Sequence, residues 1–201
     1  LLHFKSHDGR YICAAPTFQQ AKEIYWNDLK AMIPKKFIKD KSESELFIRL
    51  KTGTVIQVVG MDKPYRIEGK PIDGMILDEY GNMKEAAWGE NVRPALSTVG
   101  RLGWAWLIGV PEGRNHYFQA WKKANADSTG QWAGFHWKSA DILDPEEIEA
   151  AREELDDLTF KQEYEGSFEH FSGRAYYPFS METHSENVTY NPDLDLVLTF
   201  D

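Results

Sequence analysis

Hydrophobic positions along this chain follow two periods, one typical of buried strands and one typical of amphipathic helices. Short continuous apolar runs occur at Arg10–Ala14, Gly74–Leu77 and Gly103–Gly109, and such runs are typical of strands buried in a parallel sheet. Helical spacing follows the first run and extends to Met32, after a Thr-x-x-Gln pattern typical of a helix start. Strand, short turn and capped helix in this order predict an α/β fold.

A hairpin completes the predicted first half of the chain. Pro34 is expected to end the helix, and residues 35–44 are charged and predicted to form a solvated loop. Two β-rich runs within residues 45–59 are joined at Gly53, which predicts a hairpin. The helix positions predicted to lie against the sheet are Phe18, Ala21, Ile24, Tyr25, Leu29 and Met32.

Further helices are predicted in the second half of the chain. Proline and acidic residues mark one start, because proline fits the first turn of a helix and acids interact favourably with its dipole. The helices are predicted over Lys84–Asn91, halted near Pro94; over His116–Ala124; and from Asp144 to Tyr164 with a break near Asp157. An apolar run at Trp132–Trp137 and a strand-like run at Leu194–Asp201 complete the pattern.

The composition allows one substantial domain and narrows the class of partner. A chain of 201 residues can bury a sizeable core. Its formal net charge of −9 argues against wrapping nucleic acid unaided, because neutralising phosphates needs clustered Lys and Arg. Cys13 is the single cysteine, which excludes an internal disulfide and fits a reducing compartment. No apolar run approaches the length of a membrane span, and no signal peptide opens the chain.

Two neighbouring acids, Asp78 and Glu79, directly follow the apolar run Gly74–Leu77. Ligands of α/β sheets gather at the carboxyl ends of strands, where one carboxylate can hold Mg²⁺ on a nucleotide and another can orient or deprotonate a water. A solvated turn or a helix N-cap is the alternative interpretation of the same pair. Gly81 suits the turn that a chain must make on leaving a buried strand.

A second candidate loop follows the run that ends at Gly109. If the two strands are parallel neighbours, both loops open at the same edge of the sheet and line one cleft. His3 and His7 have helical spacing that could serve a metal, but no third ligand lies near in the sequence, which disfavours a metal site. The residues predicted to line the cleft are Asp78, Glu79, Pro111, Gly113 and Asn115.

Several segments in this order resemble the large terminase subunit of tailed bacteriophages, over nearly the whole length of the chain. Tyr11–Ala21 resembles the strand and loop after the phosphate-binding helix, and Met75–Glu79 resembles the Walker B motif. Gly109–Phe118 resembles the coupling motif, and Phe160–Phe168 is similar to the segment that closes the ATPase domain. The loop that holds Arg66 resembles the one before the acidic strand. An Asp-Glu pair alone is common among NTPases, so the combination carries the resemblance.

The resemblance implies a RecA-like P-loop NTPase sheet flanked by helices, with a short C-terminal segment leading into an RNase H-like nuclease. Residues 1–170 would form a partial ATPase domain, residues 171–193 a linker or subdomain, and residues 194–201 the first strand of the nuclease. The implied activity is ATP hydrolysis that drives double-stranded DNA into a procapsid, while the nuclease cuts concatemeric DNA.

The resemblance also implies roles for individual residues. Glu79 would activate the hydrolytic water, and Asp78 would support Mg²⁺ bound with ATP, directly or through water. Arg66 would stabilise charge on the chain's own nucleotide or on a neighbour's. Gly113 and Asn115 lie in the coupling turn, which would contact the nucleotide and sense its γ-phosphate.

The implied partners are double-stranded DNA, the portal protein, the small terminase subunit and further copies in a ring on the procapsid, with no membrane. The implied location is the host cytoplasm, at the portal during packaging. Asp201 falls where the first metal-binding Asp of the nuclease emerges, at a site for two divalent metals, Mg²⁺ or Mn²⁺.

Three departures from the family pattern limit what this chain is expected to do alone. No Gly-x-x-x-x-Gly-Lys-[Ser/Thr] phosphate loop occurs in the sequence, and in the family it lies upstream of Leu1. The coupling motif usually carries Ser or Thr before its proline, where this chain has Gly109 and Val110. Asp201 comes without partner carboxylates. The chain is therefore expected to be cut from a longer protein, to hydrolyse ATP poorly or not at all, and to cut no DNA.

Two other functions remain open. A helicase-type translocase would need a second RecA-like domain with arginine-rich motifs, and nothing after Trp137 resembles one. A catalytically silent assembly or scaffold module would carry Asp78 and Glu79 only as surface charge.

Overall fold

A mixed six-stranded sheet is the centre of the computed structural model, which describes residues 8–100 and 102–168. These residues lie in one compact unit. The strands are β1 (Arg10–Ala15), β2 (Ile38–Ser42), β3 (Phe47–Leu50), β4 (Val55–Gly60), β5 (Gly74–Leu77) and β6 (Trp104–Leu107). Their spatial order is β2-β3-β4-β1-β5-β6.

Four of the strands are parallel and therefore end at one edge of the sheet. β1 lies between β4 and β5, with Cys13 opposite both Val58 and Ile76, and β6 pairs with the far side of β5. This confirms that the two strands preceding the candidate loops are parallel neighbours. The predicted hairpin is confirmed as well, because β3 and β4 are antiparallel and Gly53 has a φ of +92° in their turn.

Each face of the sheet buries its own apolar cluster, because successive side chains of a strand point to opposite faces. On one face, Met75 and Leu77 of β5 pack with Ile12 of β1. On the other face, Ile76 packs with Cys13 and with the helical segment that follows β1. The alternation matters for the site, because the position after Leu77 falls on the same face as Ile76.

The helical segment after β1 contains one widened turn. Its parts are α1 (Phe18–Ala21), a π-helical turn (Lys22–Trp26) and α2 (Asn27–Met32). Thr17 caps it, because the Thr17 side chain accepts a hydrogen bond from the backbone N–H of Gln20. The predicted start and end of the helix are therefore confirmed.

The widened turn overturns two predicted core positions. Ile24 and Met32 were expected to lie against the sheet, but they are 38% and 76% exposed, whereas Trp26 is buried. A spacing of 3.6 residues per turn predicted the wrong positions because the π-helical turn inserts an extra residue and rotates the buried face.

Residues 35–44 are not a loop, as was predicted, but contain a 3₁₀ turn at Lys35–Phe37 followed by β2. β2 pairs only with β3 in the sheet order, and its central residues Lys39, Asp40 and Lys41 are exposed. Lysine on an edge strand discourages pairing with other chains. Because the central residues of β2 are all exposed and polar, the alternating pattern of a half-buried strand is absent. The sequence of this segment therefore predicts a loop.

Two elements in the second half differ from the predictions. The helix carrying Trp88 was predicted over Lys84–Asn91, halted near Pro94, and it continues through α3 (Arg93–Leu96), because a π-helical turn at Trp88–Val92 precedes the proline and loosens the pattern that proline interrupts. β6 is not a buried strand, since Trp106 is 58% exposed. The run Trp132–Trp137 forms no strand.

The remaining helices agree with the predictions. They are α4 (His116–Ala126), α5 (Pro145–Glu154) and α6 (Asp157–Glu163). Asp156 separates the last two and accepts hydrogen bonds from the first backbone N–H groups of α6. In the part of the chain that the structure describes, no helix has the length and apolarity to cross a bilayer. The predicted strand Leu194–Asp201 and the pair His3 and His7 lie outside the described residues.

Candidate active site

Asp78 and Glu79 lie at the carboxyl end of β5, between two parallel neighbours. The backbone N–H of Asp78 donates to the Ala14 carbonyl of β1 at 2.8 Å, so Asp78 still belongs to the sheet ladder. Glu79 leaves the ladder in the left-handed region, with φ 52° and ψ 44°. That conformation is unfavourable for a residue with a side chain, and such strain is concentrated at functional sites.

The carboxylate of Asp78 is held by two hydrogen bonds. Its Oδ1 accepts from the backbone N–H of Glu79 at 3.0 Å, and its Oδ2 accepts from the hydroxyl of Tyr25 at 3.1 Å. Tyr25 comes from the π-helical turn on the face that also buries Cys13 and Ile76. Burial, with the negative charge of Asp78 nearby, raises the pKa of the Cys13 thiol to about 11.

Glu79 has a different set of neighbours, most of them acidic. Partial burial raises the pKa of Glu79, and the negative charges of Asp78, Glu163 and Glu112 raise it further. Burial, and secondarily the charges of Glu79 and Asp78, also raise the pKa of Tyr117 on α4. A carboxyl group with a raised pKa at the edge of a sheet is suited to accept a proton from a water.

We predict a pH-dependent gain in stability when Glu79 is replaced by Gln in this chain. The raised pKa means that folding disfavours the ionised carboxylate, so above that pKa the charge lowers the free energy of unfolding. The penalty disappears as pH falls through the raised pKa toward the ordinary value for Glu. Solvent screening limits the gain to under ~1 kcal/mol, a rise of roughly 1–3 °C in melting temperature.

Thermal melts of the wild-type and Glu79→Gln chains between pH 4 and 8 measure this effect. The difference should be largest at the alkaline end and vanish at the acidic end. Glu90→Gln, at an exposed position in the helix before α3, is the control and should show no such pH dependence. A Glu79→Gln chain that melts lower than wild type at pH 8 contradicts the prediction.

The loop after β6 is joined to the loop after β5 by a set of hydrogen bonds. The Tyr80 N–H donates to the Ile108 carbonyl at 2.9 Å, and the amide of Asn115 donates to the Gly81 carbonyl at 3.2 Å. His116 Nε2 donates to the Tyr80 carbonyl at 2.9 Å. Within the segment after β6, the Tyr117 hydroxyl donates to the Gly109 carbonyl at 3.3 Å. The start of α4 therefore cannot shift without disturbing the backbone beside Glu79.

The glycines of the second loop are needed by the backbone. Gly109 has a φ of +154°, and a Cβ there would lie 3.3 Å from the Cα of Glu79. Gly113 is buried with a φ of +62°. A Ser or Thr at position 109 would strain the turn next to Glu79, which explains why this chain has no hydroxyl there.

Among the predicted cleft residues, Asn115 contacts the loop that follows Glu79, but not all of the others offer free groups. Pro111 and Gly113 are buried in the turn. The side chain of Asn115 caps α4, because its Oδ1 accepts from the N–H groups of Tyr117 and Phe118. Asn115 thus holds the two loops together, and its contact with a nucleotide stays a prediction, as does that of Gly113.

Arg66 lies apart from the acidic pair. It is exposed on a 3₁₀ turn, Pro64–Ile67, in the loop after β4, and β1 lies between β4 and β5. No hydrogen bond or ion pair among residues 8–100 and 102–168 joins Arg66 to Asp78 or Glu79. With Lys63 and Lys70, Arg66 lines an open groove of about 690 Å³. Its catalytic role stays a prediction.

The carboxylate of Asp78 suits Mg²⁺ carried by a nucleotide. Mg²⁺ prefers hard oxygen ligands and is commonly bound by one or two carboxylates together with phosphates and waters. Nowhere in the described segments do three or more His, Cys, Asp or Glu side chains form a group able to hold a metal ion. The donor set therefore fits a metal shared with phosphates better than a cage made only of protein. Asp201 lies outside the described residues.

Tyr25, His116 and Tyr117 contact the acidic loop but were not predicted as site residues. Tyr25 is recognisable from sequence only as a core position of the first helix. His116 and Tyr117 stand at the start of the predicted α4, directly after the candidate loop, and that position is the one signal that could have singled them out.

Comparison of the sequence finds terminase large subunits, although no family model matches. The chain is 32% identical to the terminase large subunit of Thermus virus P23-45 over 123 residues, covering 53% of this chain and 25% of that protein. It is 23% identical to the terminase large subunit of Escherichia phage T5 over 185 residues, covering 89% of this chain and 42% of that protein. The chain thus spans about a quarter of the first relative's length and less than half of the second's.

Comparison of the structure finds ATPase domains of the same kind of protein. The ATPase domain of the Thermus phage P74-26 large terminase has a TM-score of 0.69 and 22% identity, covering 82% of this chain and 78% of that one. The large terminase of a thermophilic bacteriophage in complex with ADP has a TM-score of 0.65 and 16% identity, covering 81% and 41%. This likeness shows a shared fold, and it confirms the predicted RecA-like sheet flanked by helices.

Proposed function

Because this chain is related to the large subunits of phage terminases and has the fold of their ATPase domains, we propose that it is the ATPase core of a viral DNA-packaging motor. ATP hydrolysis at the edge of the sheet would drive double-stranded DNA into a procapsid. The observation that carries this proposal is the position of Asp78 and Glu79, at the end of a strand that lies between parallel neighbours.

Glu79 acts on the attacking water in this proposal. Its raised pKa gives the carboxylate more affinity for a proton than an ordinary Glu side chain has, and its left-handed backbone turns it away from the sheet ladder. Hydrolysis of a phosphoanhydride depends mainly on positioning and on charge stabilisation. Glu79 orients the water and accepts its proton.

Asp78 holds Mg²⁺ in this proposal, directly or through a water. The metal supplies neutralisation of charge on the phosphates when it is bound. Both carboxylate oxygens of Asp78 accept hydrogen bonds from neutral donors, which give the side chain a set orientation. Arg66 would stabilise charge on the chain's own nucleotide or on the nucleotide of an adjacent copy.

The phosphate-binding donors come from outside this sequence in this proposal. The sequence contains no phosphate loop, so we expect the chain by itself to turn over ATP poorly. Residues 1–170 are proposed as the partial ATPase domain, residues 171–193 as a linker and residues 194–201 as the start of a nuclease, with Asp201 as one ligand of its two metals. The proposed partners are the portal protein, the small terminase subunit and further copies in a ring. The proposed location is the host cytoplasm.

Replacing Asp78 by Asn in the full-length protein tests the proposed function. We expect Mg²⁺-dependent ATP hydrolysis to fall by about 100-fold or more, because the metal loses its charged ligand. Steady-state hydrolysis measured over a series of Mg²⁺ concentrations gives the result. Asn keeps the shape of the side chain but only one of its two acceptor oxygens, so the loss of one hydrogen bond, about 1 kcal/mol, should lower the melting temperature by roughly 2–4 °C.

The scaffold alternative gives the opposite outcome. If the acids are only surface charge, Asp78→Asn causes no loss, and any hydrolysis that the full-length protein shows is equal in variant and wild type at every Mg²⁺ concentration. The same result rejects the helicase-type translocase, because the motor and the translocase hypotheses both place the metal at Asp78.

A further inference from the structure

Tyr25 is the side chain that connects the first helical segment to the acidic strand end. Its hydroxyl donates to Asp78 Oδ2 at 3.1 Å across 53 positions of sequence. We propose that Tyr25 is a positioning residue that sets the orientation of Asp78 for metal binding, an inference that rests on the proposed function. In this role Tyr25 acts through Asp78, the side chain that its hydroxyl contacts.

The π-helical turn places Tyr25 within reach of Asp78. The widened turn, Lys22–Trp26, allows two consecutive aromatic side chains to face the sheet. Trp26 is fully buried in the apolar cluster, and Tyr25 is half-buried at the margin of the same cluster. Its ring is thus fixed by packing while its hydroxyl reaches the edge of the sheet. π-helical turns are frequent at functional sites, which agrees with this role.

The two hydrogen bonds of Asp78 leave one orientation for the carboxylate. Oδ1 is tied to the backbone N–H of Glu79, and Oδ2 is tied to the Tyr25 hydroxyl. Each carboxylate oxygen accepts more than one hydrogen bond or ligand, so lone pairs remain for a metal or its water. Removing the hydrogen bond from Tyr25 leaves the carboxylate held by the Glu79 N–H alone, so it can rotate further about its terminal torsion, which is broad for Asp.

A neutral donor suits this task better than a cationic one. A Lys or Arg partner would neutralise Asp78 and compete with the metal, whereas a phenol orients the carboxylate without cancelling its charge.

The test is Tyr25→Phe in the full-length protein, which removes the hydroxyl and keeps the ring. We expect the Mg²⁺ concentration for half-maximal ATP hydrolysis to rise about tenfold, the usual order for loss of a group that orients a metal ligand. The rate at saturating Mg²⁺ should fall much less, because excess metal restores occupancy. A residue that served only packing would change the melting temperature and leave the Mg²⁺ dependence unchanged.

Two comparison variants separate the outcomes. Tyr65→Phe also removes a phenolic hydroxyl, here from a side chain that is 60% exposed in the loop after β4. Its half-maximal Mg²⁺ concentration should match that of the wild type. In an Asp78→Asn background, Tyr25→Phe should add little, since the two residues act through one contact.

The inference and the proposed function fail in different ways. If Asp78→Asn lowers Mg²⁺-dependent hydrolysis but Tyr25→Phe leaves the half-maximal Mg²⁺ concentration unchanged, the role of Tyr25 is refuted and the proposed function stands. If Asp78→Asn leaves the rate of ATP hydrolysis at the wild-type level at every Mg²⁺ concentration, the proposed function is refuted, and the role of Tyr25 is refuted with it.

Discussion

Glu79→Gln in the full-length protein is expected to lower the rate of ATP hydrolysis about 1,000-fold, within the range found for loss of a general base. This loss corresponds to about 4 kcal/mol in the activation barrier. Gln keeps the size of the side chain and can still hold a water by a hydrogen bond, but it cannot accept the proton. Nucleotide affinity should stay within about threefold of wild type, because the substituted group acts on the water and not on the phosphates.

Hydrolysis and nucleotide binding must be measured on the same preparation. Glu163→Gln is the matched control, because Glu163 is another carboxylate whose charge acts on Glu79 and the substitution changes the net charge equally. The control should keep the rate within about threefold of wild type, since it removes only a screened surface charge. Equal losses in both variants would show that general charge, and not Glu79, governs the rate.

The strand end was predictable because its signal is local. Four apolar residues followed by two acids place Asp78 and Glu79 at the end of a buried strand, and the parallel arrangement of β5 and β6 follows from the helix between them. The structure adds that Glu79 is left-handed and that its neighbours are acidic. Those features depend on a backbone angle and, apart from Asp78, on residues more than 30 positions away, which no local pattern reports.

The first helix shows why the rest of the site was missed. Regular spacing predicted that Ile24 faces the sheet, whereas the π-helical turn exposes Ile24 and buries Trp26. The same turn directs Tyr25 to Asp78, and the insertion of one residue leaves no mark in the sequence. β2 was missed for the opposite reason, because an edge strand with exposed Lys39 and Lys41 has the composition of a loop.

Gly60→Ala is expected to destabilise the chain by about 3 kcal/mol, the upper part of the range for overpacking. Gly60 ends β4 opposite Ala15, and an added Cβ would clash with the backbone N of Phe18 and lie 2.6 Å from its Cα. Backbone atoms at the start of a helix cannot rotate away as a side chain can. Either α1 or the end of β4 must shift, and Tyr25 moves with the helix.

Thermal melting of this chain measures the loss as a fall of roughly 6–12 °C, given the size of the domain. Gly89→Ala is the matched control, since nothing lies within 4 Å of a Cβ at Gly89 and the residue is helical. Alanine is the better helix former by about 0.5–1 kcal/mol, so the control should melt slightly higher than wild type. If the Gly60→Ala chain has the melting temperature of the wild type, β4 and the first helix do not approach as closely as described. The orientation of Tyr25 toward Asp78 would then lose its support.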